Sequence, residues 1–372
     1  MRFDDWMHQC LYHPEHGYYS DPSRRRTGRD GDFITSVSVG AMFGCALALA
    51  FVPVWEACGR PEEFWLIEYG AEDGRLAADI LASLEAMGGT DFAHAVRYGI
   101  VEPAPAKREG QRQALEKSGF GERAEWLEAD AAPKPVGVVF GNEVFDAQPV
   151  RLVERGPDGW EECCVALAGE IGFAWALCPI EASSEAGRFP ARLGGDYSQG
   201  YRAELRTRDA ELLESMAARL ERGLVLAIDY GYPEAELYRP ARTAGTLQCY
   251  SGHQKSGDPL ADPGRQDISA HVNFSQLARE GERLGLNPVA WLTQEKTMAG
   301  LLGAFGQHPD VPRLLEGASD PAKATRQFHA LLHPELLGSQ FHWLWMTKNV
   351  SLPISEMNAL TFARDSQLHA LF

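Results

Sequence analysis

The chain has 372 residues, 45% of them hydrophobic, and a formal net charge of −17. That length and apolar content suit one elaborated domain, or two smaller ones, with a large core. So acidic a surface repels a phosphate backbone, which excludes nucleic acid as an expected partner.

Met1 to Gln9 contains Arg2, Asp4 and Asp5 and no apolar run, so no secretory signal is expected there. The one tight basic cluster, Arg24, Arg25, Arg26 and Arg29, lies among Gly, Ser and Asp and reads as a solvated loop. Ala41 to Trp55 is the longest apolar stretch. It falls short of the roughly 20 residues of a membrane span. A buried helix over Ala41 to Val52, ended by Pro53, is expected instead.

Strands and helices then alternate. Phe64 to Ile67 is an apolar run ending at Glu68, with Gly70 and Gly74 directly after it. Leu76, Ile80, Leu81 and Leu84 share one helical face, stopped by Gly88-Gly89. A second strand fits Val96 to Val101, before Glu102, and a helix carries Gln111 to Leu115. Val136 to Phe140 ends in Gly141-Asn142-Glu143, and Leu224 to Ile228 ends in Asp229-Tyr230-Gly231. Two further strands fit Pro288 to Leu292 and Phe341 to Met346. This rhythm predicts an α/β fold: a mostly parallel, twisted sheet with helices on both faces. Residues 151–200 and 235–272 break the rhythm and read as excursions that build a cap. The expected organisation is an N-terminal helical segment and substrate-side loop over 1–58. A core follows over 59–150, 216–234 and 272–372, with cap insertions over 151–215 and 235–271.

Seven cysteines, an odd number without a CxxC pair, read as free thiols in a reducing compartment, and a cytoplasmic protein is expected. His13 and His16 lack a third ligand, and Pro14 spoils a helical pair, so no metal is expected.

Four apolar runs end in acidic or amide residues: Glu68, Glu102, Asn142-Glu143 and Asp229. In an open parallel sheet the ligand crevice lies beyond those carboxyl ends. Gly70 and Gly74 permit a tight turn, and the following helix offers free N–H groups. Glu102 is placed for ribose hydroxyls, although it lies 102 − 74 = 28 residues past Gly74, where roughly 20 is usual. The alternative for Glu102 is an exposed residue after a strand. Gly70-Ala71-Glu72-Asp73-Gly74 is not GxGxxG, which argues against a nicotinamide cofactor.

Asn142, Glu143 and Asp146 follow one buried run closely. Carboxylates there suit an amine or guanidinium by pairing with the cation and orienting one nitrogen. A helix N-cap with an acidic first turn is the alternative. Asp229 and Tyr230 are expected to face the same cleft, and Asp267, Ser269 and His271 alternate along one side of an extended segment. His271 is a candidate proton acceptor or a structural histidine.

Residues 11–19 (Leu-Tyr-His-Pro-Glu-His-Gly-Tyr-Tyr), 28–33 (Gly-Arg-Asp-Gly-Asp-Phe) with Thr35, and Phe43-Gly44 form one series with several later segments. These are 67–70 through Gly74, 101–103 with Gln111, 141–146 with Pro149-Val150, 228–231, Gly245-Thr246 and 267–274. In this order they resemble the MidA-like methyltransferases, a family that includes mitochondrial complex I assembly factors. The resemblance spans nearly the whole chain. It implies a Rossmann-like class I methyltransferase fold and S-adenosyl-L-methionine as cofactor. Mitochondrial members are described as protein arginine methyltransferases.

The resemblance places Glu68, Gly70 and Gly74 on the methionine side and Glu102 at the ribose, and the expected cofactor set adds Glu72, Asp130 and Asn142. Asn142, Glu143, Asp146 and His271 would be catalytic. Asp32, Thr35, Asp229, Tyr230 and Asp267 would meet the substrate. Three positions depart from the family pattern. Ala71 and Glu72 replace a Pro and the middle Gly, Val37-Ser38 replaces a Pro-Glu pair, and Leu337-Gly338-Ser339 replaces a Met-Gly-Glu-like segment. The expected function is methyl transfer to a protein nitrogen. The alternatives are a catalytically impaired assembly or binding protein, motivated by Glu72, and a small-molecule methyltransferase. Expected partners are a protein substrate, with a homodimer as an option, and neither nucleic acid nor membrane.

Overall fold

Fifteen strands and the helices between them are described in a computed structural model covering residues 1–21, 35–88, 90–128, 135–170, 172–193, 195–251, 254–307, 321–363 and 367–372. The strands are β1 (Phe64–Tyr69), β2 (Val96–Val101), β3 (Ala124–Trp126), β4 (Val136–Asn142), β5 (Arg151–Arg155), β6 (Trp160–Ala168), β7 (Gly172–Pro179) and β8 (Arg202–Leu205). Then come β9 (Arg222–Tyr232), β10 (Gln248–Ser251), β11 (Gln254–Ser256), β12 (Asp267–Ser269), β13 (Val272–Asn273), β14 (Asn287–Thr293) and β15 (Phe341–Lys348). The first six helices are α1 (Phe3–Tyr12), α2 (Ser36–Val39), α3 (Met42–Ala57), α4 (Arg75–Ala86), α5 (Asp91–Ala95) and α6 (Pro105–Lys117).

The central sheet has the order β14-β15-β9-β4-β1-β2-β3, with β13 beside the end of β9. The pairings β1–β2, β1–β4, β2–β3 and β4–β9 are parallel, while β15 runs antiparallel to both β9 and β14. Counting the main strands one to seven along the chain, the sheet reads 3-2-1-4-5-7-6 with the seventh reversed. The α/β expectation therefore holds. Apolar residues on successive positions feed the two faces: Leu66, Leu224 and Leu226 join one core, Ile67, Val225 and Ala227 the other. Near-continuous apolar runs are what a sheet covered on both sides requires.

Two smaller antiparallel sheets, β7-β6-β5-β8 and β11-β10-β12, form over residues 151–205 and 248–269, the first reaching beyond the stretch 151–200 that breaks the rhythm. Helix α1 packs with them: Phe3, Met7 and Leu11 share a core with Leu152, Cys163 and Ile268.

The helix expected to end at Pro53 runs on to Ala57 with the proline inside it. An interior proline removes one N–H and crowds the preceding turn, at about 3 kcal/mol. Burial of Val54 and Trp55 beyond it, each worth roughly 1.5–3 kcal/mol, outweighs that cost.

The sheet order reverses between β1 and β4, the switch point where ligands bind in open α/β sheets. Tyr69 is level with Val101 on one side and Gly141 on the other. The next residues, Gly70, Glu102 and Asn142, therefore reach the same edge.

Candidate active site at the strand ends

A cavity of about 660 Å³ opens at that edge, within the usual range for ligand pockets. Its wall includes Glu68, Gly70, Glu72 and Asp73 after β1, Glu102 after β2, and Asn142 and Glu143 after β4. Tyr12, Tyr19 and Thr35 from the N-terminal segment close the other side. Asp32 and Asp130 lie outside the described residues.

Gly74 adopts φ +78° as the residue preceding α4. The first N–H of the helix, that of Arg75, donates to Asp73 Oδ1 at 3.1 Å, so the turn between β1 and α4 carries its own carboxylate partner. Gly70 has a different reason to be glycine. A Cβ there would come within 2.5 Å of Val144 Cγ1, at φ +69°. Glu72 takes a left-handed φ of +45° despite its side chain. Its carboxylate meets Lys107 Nζ at 2.6 Å.

Glu68 is buried, and the Tyr98 hydroxyl donates to its Oε2 at 2.6 Å. Burial pushes its carboxyl up to about 8, which the Tyr98 bond opposes. Glu102 accepts from the Ala104 N–H and from Gln111 Nε2. Burial raises this carboxyl as well, and the Lys107 ammonium opposes the shift.

Asn142 Nδ2 donates to Glu143 Oε1 at 3.1 Å, while the buried Asn142 Oδ1 has no protein partner. Glu143 sits at φ +55°, and its N–H donates to the Ile228 carbonyl. Its carboxyl is pushed up to about 8, first by burial and then by repulsion from Asp146; the Asn142 amide and the Ser36 backbone N–H act against this.

Asp146, Asp229, Tyr230, Asp267 and His271 do not line the cavity. They build the scaffold behind it. Asp229 is fully buried and accepts from the N–H groups of Phe145 and Asp146 at 3.0 and 3.2 Å. It holds the turn after β4 and does not face the cleft. Tyr230 donates to Asp146 Oδ2, and Tyr19 donates to Asp267 Oδ1 at 2.8 Å. His271 packs between Tyr230 and Tyr232, each ring 5.2 Å away. Burial, then Arg242 and Arg206, lower it to about 4, so it is neutral and weakly basic. Thr35 lines the cavity, but its hydroxyl accepts from the Ser38 N–H in a capping box.

Sequence reasoning missed several groups here. Arg206, fully buried, pairs with Asp209 at 2.6 Å and donates to the Phe145 and Ala270 carbonyls. Tyr12 donates to the Ala147 carbonyl at 2.9 Å. Tyr12 and Tyr19 belong to the 11–19 segment and Gln111 to the same series, so a signal existed for them. Nothing marked Lys107. His13 and His16 stack 5.0 Å apart. Among the described residues no group of three His, Cys, Asp or Glu is placed to hold a metal ion.

An α/β sheet with this switch point, glycine turn and acid after β2 has the class I methyltransferase architecture. The chain belongs to the family described as "Putative S-adenosyl-L-methionine-dependent methyltransferase", whose pattern matches residues 46–291. A Burkholderia thailandensis protein with S-adenosyl-homocysteine bound in its crystal structure is 31% identical, with a TM-score of 0.85 over 99% of this chain and 92% of that one. The protein arginine methyltransferase NDUFAF7 of mouse mitochondria is 27% identical over 91% of this chain and 79% of its own length. Its human counterpart is 25% identical over 91% and 78%. S-adenosyl-L-methionine is the cofactor of this family, and the site fits it. The glycine turn after β1, Glu102 and the unpartnered Asn142 Oδ1 offer donors and acceptors around one cavity.

Proposed function

We propose that the chain transfers a methyl group from S-adenosyl-L-methionine to a nitrogen of a protein side chain, of the arginine type. The observation that carries this reading is the Glu143 carboxyl on the wall of the cavity that also holds Glu68, Glu72 and Glu102. S-adenosyl-L-methionine supplies an electrophilic methyl carbon on a sulfonium. Glu102 would accept hydrogen bonds from ribose hydroxyls, and the backbone ahead of α4 would meet the methionine part.

At the acceptor end a guanidinium would pair with Glu143, beside the Tyr12 and Tyr19 rings, which stack on each other at 5.4 Å. Pairing with a cation favours the ionised carboxylate. It orients one nitrogen for in-line attack and leaves an oxygen to take the proton that nitrogen sheds. Asn142 Nδ2 fixes Glu143 Oε1 for this role. Asp146 and His271 support the turn from behind, and Asp229 holds it through backbone N–H groups.

The names of the mitochondrial relatives support a protein acceptor. The cytoplasmic placing goes with this reading for the present chain. No helix among the described residues is long and apolar enough to cross a membrane.

The test is transfer of labelled methyl from S-adenosyl-L-methionine to a lysate of cells lacking the protein, followed by peptide mapping. Label on arginine is the expected result. Label confined to small molecules would replace the protein acceptor, and no label at all would favour the impaired binding protein.

A further inference from the structure

Five carboxylates border the cavity: Glu68, Glu72, Asp73, Glu102 and Glu143. Among the described residues on its wall, Lys107 supplies the only Lys or Arg side chain. Lys107 stands in the first turn of α6, after β2. Its ammonium lies 2.6 Å from Glu72 Oε2 and 4.7 Å from the centre of the Tyr19 ring. Its side chain is 12% exposed and that of Glu72 28%, so water screens the pair only in part.

Glu72 lines the cavity from the turn after β1, and its side chain would otherwise bring its charge to the cofactor end. Two facts of geometry show what becomes of that charge. The ammonium draws the carboxylate toward α6, and the Glu72 carbonyl is held by Gln111 Nε2 at 3.1 Å. The same ammonium acts against the rise that burial and Glu72 cause in the Glu102 carboxyl.

We infer that Lys107 is a positioning residue that makes Glu72 compatible with the cofactor, by pairing with its carboxylate and holding it toward α6. Tyr19, stacked on the ammonium, couples the N-terminal segment to the same pair. This rests on the cofactor reading of the site.

Calorimetric titration of S-adenosyl-homocysteine into the full-length protein tests it, with the ligand-free thermal transition of each variant as a folding control. Lys107→Met should weaken binding by about tenfold or more, because it removes the 2.6 Å ion pair that draws the Glu72 carboxylate toward α6. Lys107→Arg should keep most of the affinity, and Glu72→Gly should bind at least as tightly as the wild type. The double variant Glu72→Gly/Lys107→Met should return to within about threefold of the wild type, a coupling well above additivity.

Wild-type affinity in Lys107→Met, or a double variant as weak as Lys107→Met, would overturn the inference. Should Lys107→Met lose its thermal transition, the double variant decides by the same criterion. A wild type that does not bind, beside a Glu72→Gly that does, overturns the compensation and leaves the cofactor reading intact. If neither binds, the cofactor reading itself fails.

Discussion

Gln111 Nε2 donates to Glu102 Oε2 at 3.2 Å, so a helix residue fixes the acid that ends β2. The same nitrogen donates to the Glu72 carbonyl, and Gln111 Oε1 accepts from Trp126 Nε1 at 2.9 Å. The Trp126 bond sets which way the amide points. One fully buried amide thus joins the turn after β1, the end of β2 and strand β3. Replacing Gln111 with Leu leaves three polar partners unsatisfied. A loss of about 1–3 kcal/mol in stability is expected, with roughly tenfold weaker binding of S-adenosyl-homocysteine. Urea unfolding and calorimetry check both. Lower stability at unchanged affinity would limit Gln111 to a structural role.

Gly70 shows where a motif reading and a packing reading part. The pattern marks it as a cofactor glycine, but the Cβ direction points into Val144, 2.5 Å away. Gly141 meets the other methyl of Val144 at the same 2.5 Å. Two glycines, one after β1 and one in β4, therefore make room for one valine in the turn after β4. Gly70→Ala should cost about 2–4 kcal/mol, from the positive φ and the overlap together. Adding Val144→Ala should recover the steric part. A double variant no more stable than Gly70→Ala in denaturant titration would refute the overlap as the cause.

The mostly parallel sheet was legible because near-continuous apolar runs alternating with helices require a sheet covered on both faces, and polar residues at their ends mark one edge; the strand order was not read. Glu68, Glu102 and Glu143 were found in that way. The second set was not separable from the first. Asp229 follows a buried run just as Glu102 follows β2, yet it bonds backbone N–H groups inside the protein. Whether a strand-end acid points into a cavity or under a turn depends on tertiary packing. His271 illustrates the same limit, since its partners come from β9 and from Arg206 and Arg242, far away in the chain. Lys107 was invisible because one lysine in a polar helix has no periodic signature. Its meaning comes only from Glu72, 35 residues earlier.

Glu68 gives a prediction on stability against pH. Its carboxyl titrates near 4.5 when unfolded and is pushed up to about 8 in the fold. Between those values the native state holds a proton that the unfolded chain has released. The contribution is fully present below about 4.5 and is lost as pH rises toward 8, by at most about 1.4 kcal/mol per pH unit. Glu68→Gln should flatten that fall while keeping the Tyr98 hydroxyl partnered. Glu143 contributes a slope of the same sign, so only part is removed. Urea unfolding at pH 5, 6, 7 and 8 is the measurement, and an unchanged slope would mean that Glu68 is ionised in the native state.

Glu143 gives the corresponding prediction on activity. In the free protein its carboxyl is raised to about 8, so near neutral pH most molecules carry it protonated. A protonated acid neither pairs with a cation nor takes a proton from the attacking nitrogen. The sign follows: kcat/KM for a basic peptide acceptor should rise with pH, close to tenfold per unit below pH 7, and level off above about 8. Glu143→Gln should remove that rise and lower kcat/KM by about 100-fold or more, the usual range for losing a positioned acid or base. Binding of S-adenosyl-homocysteine should be little affected, because the loss lies at the acceptor end. Asn142→Ala should displace the midpoint upward, since the Asn142 amide favours the charged carboxylate. A flat profile in the wild type, or a rise that survives Glu143→Gln, would move the proton acceptor to another group.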